Sequence, residues 1–273
     1  MKRREFFEFI LGTLSLGSFV GWRNLWAKDG VLQRRPYGRK GIELSIVGLG
    51  GASVMNLPRG QVNNIVSWAV DHGVNYFDVA PTYGDSEVLF GNALRKYRRR
   101  IFLACKTLKR DARGAEKEFY SSLKRLQTDY IDLYQFHAIS KMEYVEKILA
   151  PGGAMDFFLK ARQKGLIRFI GFSAHSEEAA LSLLDRVKFD SVLYPVNFVM
   201  YFRGNFGPQL IERARQKGVA VLAIKALAKQ RWRKGAKRTF ERLWYEPVSH
   251  PKEASLALRF TLSRPVVATV PPR

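Results

Sequence analysis

The chemistry legible in this chain rests on Asp78, Tyr83, Lys106 and His137. They are a carboxylate, a phenol, an amine and an imidazole, side chains that trade charge and protons once neighbours shift their pKa values. Asp78 lies near the end of a short apolar run in VNYFDVAPTYGDSE, Val74 to Glu87, and Tyr83 follows in a turn rich in Pro, Gly and Asp. Lys106 ends the apolar run IFLACK, and His137 ends YIDLYQFH. Singly, each has an ordinary explanation: a turn cap, a packed ring, a solvated amine, a hydrogen-bonded imidazole. Jointly, they stand at the ends of three successive strands, where a barrel gathers side chains at one mouth.

The elements that must position them follow from periodicity. Apolar runs read as strands at LSIVGLG (44–50), YFDVA (76–80), IFLACK (101–106), YIDLYQFH (130–137), IRFIGFSA (167–174), SVLYPVN (191–197), VAVLAIKA (219–226) and PVVATVP (265–271). Amphipathic segments alternate with them, for example QVNNIVSWAVDHG, SEVLFGNALRKY, GAEKEFYSSLKRLQ, EEAALSLLDRV and PQLIERARQKG. Their apolar residues recur at three and four, and two of them stop at Gly73 and Gly218 just ahead of a strand. Repeated strand–helix–strand units imply a parallel sheet, and this many in this length fit an α/β fold of the (β/α)₈ barrel type. An open dinucleotide-binding sheet would need G-x-G-x-x-G opening a helix. Gly48, Gly50 and Gly51 lack that spacing, and no helix is expected there. One basic insertion, AKQRWRKGAKRTFERLWYEP, falls between the seventh strand and the next helix and carries Trp232 and Trp244. It reads as a surface loop over the mouth, able to meet a phosphate-bearing ligand, rather than as a nucleic-acid site.

At 273 residues the chain suits one barrel domain, expected over 31–273. A net charge of +22 favours anionic partners without choosing among them. The single cysteine, Cys105, cannot form an intrachain disulfide and reads as a core residue. Four histidines, none in an H-x-H pair, argue against a metal-dependent hydrolase, and no metal ligand is expected. The first thirty residues stand apart. Lys2, Arg3 and Arg4 precede the short apolar segment FILGTLSLGSFV, and Arg3-Arg4-Glu5-Phe6-Phe7 resembles a twin-arginine signal. Residues 1–30 are therefore expected to export or anchor the protein through the twin-arginine machinery, with 1–25 as a membrane tether. The expected location is the periplasm or its membrane, and the cytoplasm if that signal is misread.

FDVAPTYGDSE, ACKT and SLKRLQTDYIDLYQFH look like signature segments of the aldo-keto reductase superfamily. RPYGRKGIELSIVGLGG resembles its N-terminal hairpin and first strand, and the similarity runs from about Arg35 onward. The resemblance implies a barrel that reduces aldehydes or ketones with NADPH, NADH being the alternative. It places the catalytic tetrad on Asp78, Tyr83, Lys106 and His137, and cofactor contacts on Gly51, Ser173, Asn197 and Lys225. In that scheme Tyr83 gives a proton to the carbonyl oxygen, and the Lys106 ammonium brings the phenol down from ~10 toward working pH. Asp78 pairs with Lys106, and His137 donates to the carbonyl oxygen. Some positions depart from the pattern. Ala174 replaces the Asn that usually follows Ser173, Leu193 stands where the family has Gln, and Lys225 replaces a stacking aromatic. TVPPR stops just after the eighth strand, so the last helix and the loop that grips the adenosine phosphate are expected to be missing. A catalytically weak, cofactor-binding redox sensor on the same fold is the alternative.

Overall fold

A computed structural model describes residues 31–38, 41–240, 243 and 245–271. The expected export segment, Trp244 and Arg273 lie outside the described residues. Eight strands form one parallel sheet: β3 (Leu49–Gly50), β4 (Tyr76–Asp78), β5 (Phe102–Thr107), β6 (Ile131–Ile139), β7 (Ile167–Ala174), β8 (Ser191–Pro195), β9 (Ala220–Ile224) and β12 (Ala268–Val270). They lie side by side in chain order. Val47 bridges Thr269 in parallel, with Gly48 N donating to Thr269 O at 2.9 Å and Thr269 N to Ile46 O at 2.9 Å, and so joins the two edges into a barrel. Because these strands are covered on both faces, they read in the sequence as continuous apolar runs.

The first expected strand divides in two. Glu43–Ser45 (β2) pairs antiparallel with Arg34–Pro36 (β1) in a hairpin, and only Leu49–Gly50 joins the barrel. Ser45 explains the break. Its amide donates to Asn75 Oδ1 at 2.7 Å and its hydroxyl accepts from Asn75 N at 3.1 Å, which ties the hairpin beneath β4. Tyr37 follows β1 into the floor of the barrel, fully buried, with its ring 5.0 Å from that of Phe102 and its hydroxyl 2.8 Å from Ser191 Oγ.

Helices cover the outside: α2 (Arg59–Asp71), α3 (Ser86–Leu94), α4 (Ala112–Leu126), α5 (Met142–Leu149), α6 (Ala154–Gln163), α7 (Glu177–Arg186), α9 (Pro208–Lys217) and α10 (Pro251–Leu262). Gly73 and Gly218 stop α2 and α9 at φ of 91° and 67°, conformations that favour glycine. Contrary to expectation, a one-turn helix, α1 (Gly51–Val54), does open at the glycine-rich turn. It is too short to be the crossover helix of a dinucleotide fold. The basic insertion folds as an antiparallel hairpin, β10 (Ala228–Arg231) with β11 (Tyr245–Pro247), and Trp232 Nε1 donates to Leu243 O at 2.8 Å across it.

Candidate active site

Asp78 is the last residue of β4, and the register sets it beside Ala104, two residues before Lys106 on β5. Lys106 is fully buried and Asp78 almost so, and the Lys106 ammonium pairs with Asp78 Oδ1. The other carboxylate oxygen accepts from Tyr76 Oη and Gln135 Nε2, each at 3.3 Å. Lys106 Nζ also donates to Val79 O at 3.2 Å. Burial by itself lowers the ammonium's pKa; the charges of Asp78 and Tyr83 outweigh that and leave it raised, so Lys106 is cationic at neutral pH.

Tyr83 ends a tight turn, its amide donating to Ala80 O at 3.0 Å, and Gly84 follows at a φ of 56°. That turn folds the phenol back over the strand end, with the ring centroid 5.1 Å from Lys106 Nζ. The His137 ring meets it edge-on at 5.8 Å and 89°. The expected drop in the phenol's pKa is not the net result. Burial raises it, Lys106 pulls it down, Asp78 pushes it up again, and the balance lies above its usual value. The lysine's pull is present but outweighed, because the hydroxyl lies deep although the ring is partly exposed. His137 is held neutral: burial first, then the charges of Lys106, His175 and Arg110, lower its pKa to about 3. Its Nδ1 is buried and has no hydrogen-bond partner among the described residues.

The residues expected to hold cofactor lie around this group. Asn197 follows β8 at the rim, fully buried; its Oδ1 accepts from Met200 N at 2.9 Å and caps α8 (Phe198–Arg203), while Nδ2 has no partner among the described residues. Ser173, near the end of β7, accepts the Ala138 amide at 2.8 Å through its hydroxyl oxygen, which leaves the hydroxyl proton to donate elsewhere. Lys225 follows β9 at a φ of 60°, and burial lowers its pKa to about 8. Its Nζ stands 3.4 Å from Nδ1 of His175. Gly51 serves packing: a Cβ there would lie 2.7 Å from Val79 Cγ2, and its carbonyl accepts from Ser86 Oγ at 2.7 Å.

Sequence reasoning missed Tyr76, Gln135 and Arg110. The first two carried a signal, since each lies two residues before a tetrad member on the same strand and therefore on the same face. Arg110 carried none, because it occupies a turn whose path only the fold defines, whereas His175 directly follows the fifth expected strand and its place at the mouth near His137 is within reach of the sequence.

Residues 46–247 match the model of the Aldo/keto reductase family. The aldo-keto reductase YhdN of Bacillus subtilis is 36% identical over 157 residues, covering 50% of this chain and 46% of that protein. The uncharacterized oxidoreductase YqkF of the same organism is 31% identical over 157 residues, covering 52% and 49%. The chain thus spans about half the length of these two relatives. The D-arabinose 1-dehydrogenase of Saccharomyces cerevisiae is 28% identical over 213 residues, covering 69% and 60%. Among solved structures, the holo form of aldo-keto reductase AKR11C1 from Bacillus halodurans superposes with a TM-score of 0.70 at 23% identity, covering 88% of this chain and 86% of that one, a likeness of fold. With a matched segment of that extent, the chain belongs to the aldo/keto reductase family.

Proposed function

We propose that this chain is an oxidoreductase that reduces the carbonyl of an aldehyde or ketone with NADPH, NADH being the alternative donor. One observation carries the reading: a fully buried lysine, charge-paired with Asp78, lies 5.1 Å from the centroid of a phenol ring that His137 also meets. A buried ammonium against a phenol favours the phenolate and so supports proton release from Tyr83 Oη to an oxygen gaining charge. Asp78 keeps Lys106 charged and aimed, while Tyr76 and Gln135 hold Asp78. His137, neutral, donates to the same oxygen without adding a buried positive charge.

The residues at the rim fit a nicotinamide. The orphaned Asn197 Nδ2 is a buried donor suited to a carboxamide oxygen, the Ser173 hydroxyl proton is a second donor, and Lys225 adds a cation. When bound, the nicotinamide supplies the hydride to the carbonyl carbon. The leader supports delivery through the twin-arginine machinery. Replacing Arg3 and Arg4 by lysine should trap the protein in the cytoplasmic fraction, and unchanged fractionation would reject that route.

The test is to titrate the purified protein with NADPH and NADH by cofactor fluorescence, then assay a panel of aldehydes and ketones for cofactor oxidation. Cofactor binding with turnover of at least one carbonyl is expected. Binding with no turnover across the panel would replace the reductase reading with the redox-sensing one.

A further inference from the structure

The strand that delivers His137 is irregular where it matters. Between Phe136 and Ile139 the pairing of β6 with β7 shifts register, and His137 and Ala138 occupy the shift. Ala138 has a φ of 57°, a left-handed conformation that a residue with a Cβ resists. Two side chains from neighbouring strands and loops hold that backbone. Ser173 accepts the Ala138 amide at 2.8 Å, and Arg110 Nη2 donates to the His137 carbonyl. Arg110 is itself fixed. Its guanidinium lies 4.8 Å from the Tyr144 ring centroid, Nη1 reaches Thr107 O at 3.4 Å, and its own carbonyl accepts from Ala154 N at 2.9 Å. Burial lowers its pKa only to about 10, so it remains a cation. A half-buried arginine whose hydrogen bonds go to main-chain oxygens is spending its charge on geometry rather than on a salt bridge.

We propose that Arg110 is a positioning residue for carbonyl reduction: by gripping the His137 carbonyl across the shifted register, with Ser173 holding the next amide, it sets the imidazole edge-on to Tyr83. This rests on the reading of His137 as the group that meets the substrate oxygen. Without the grip, the left-handed turn at Ala138 is free to relax and the ring leaves its place beside the phenol. Lys106, His175 and Tyr83 are the other titratable groups that face the imidazole, and none of them hydrogen-bonds its main chain.

The test is a double-mutant cycle on the full chain, R110M against H137A, with NADPH and the best carbonyl found in the panel. R110M should lower kcat by about tenfold to a hundredfold, the scale of a misplaced catalytic group, with the KM for NADPH within about twofold. In the H137A background the same change should cost less than about twofold. Equal losses in both backgrounds, or no loss in the parent, would overturn the proposal. Should R110M fail to fold, R110K, which keeps a donor, enters the same cycle. A second readout needs no turnover. With ¹⁵N-labelled histidine, the His137 ring signals, identified by their loss in H137A, should shift in R110M and return toward the parent position in R110K, which keeps the charge and a donor. Those of His72 and His250 should stay in place. An unmoved His137 signal sinks the positioning role even if the protein reduces nothing, which separates this claim from the activity itself.

Discussion

Two buried carboxylates, one at each end of the barrel, show how the same group serves different ends. Asp132 lies at the start of β6, on the floor. It accepts from Arg98 at 2.8 Å, from Arg168 at 2.7 Å and from the Leu103 amide at 3.0 Å, and the Arg168 side chain is 48% exposed. Arg168 keeps part of its hydration while Arg98 is 13% exposed, and with three donors satisfying it the acid stitches β5 and β6 together. Asp78 lies at the opposite end, paired with an ammonium that is 0% exposed. Taking both ions of that pair out of water is expensive, and a well-packed apolar pair of similar volume would hold the strands as firmly. What the mouth gains is a cation held against a phenol. In a barrel the floor carries stability and the C-terminal face carries chemistry, and the role proposed for Asp78 sets these two acids on opposite sides of that line.

The comparison breaks first at the mouth. Tyr83→Phe or Lys106→Met should lower carbonyl reduction by about a hundredfold to ten-thousandfold, with NADPH binding by fluorescence little changed for Tyr83→Phe. Kinetics like the parent's would remove the pair's reason for being buried. Lys106→Met should also destabilise by about 3–5 kcal/mol, because it strands Asp78 in the interior. Adding Asp78→Leu should recover much of that in urea melts without recovering activity. On the floor the opposite pattern is expected. Asp132→Ala should cost about 3 kcal/mol of stability yet leave kcat per folded molecule near the parent value. A matching loss of turnover there would erase the division of labour.

Acid sharpens the picture further. His137 has a folded pKa of about 3 against an ordinary 6.5, so the unfolded chain binds more protons between those values. Its share of stability is complete above pH 6.5 and lost as the pH falls toward 3. Urea melts at stepped pH should show that decline in the parent and a shallower one in His137→Asn. The exposed face of His175, whose pKa is lowered to about 4 by burial and then by Lys225, should blunt its own part. The smallest expected effect is at Ala138. Glycine suits its φ of 57° but loosens the unfolded chain, so Ala138→Gly should change the melting free energy by under about 1 kcal/mol.

Much of this is legible in the amino-acid sequence. The barrel strands announced themselves because doubly covered parallel strands must be apolar along their whole length, and Asp78, Lys106 and His137 stood out as polar groups where strand ends converge, their roles coming from the family resemblance alone. The positions of Tyr76 and Gln135 were also within reach, through the two-residue period. Other features were not. LSIVGLG looks like one strand, and only the exchange between Ser45 and Asn75 divides it. The register shift at His137 leaves no mark in YIDLYQFH, since any residue sequence of that type fits a regular strand. Arg110 resembles the solvated cations around it until α6 and Tyr144 fix it in place. The net rise in the Tyr83 pKa depends on depth of burial, a quantity that spacing does not encode.

The hydroxyl of Tyr37 meets a partner 154 residues further along the chain, and Val47 waits for Thr269. A ribosome makes the segment around Tyr37 long before it makes either partner. Sealing the cylinder therefore waits on residues far along the chain, which makes closure a late step relative to the local strand–helix units. Once in place, the Tyr37 ring packs against Phe102 and Phe169 and fills the lower end of the cylinder with side chains.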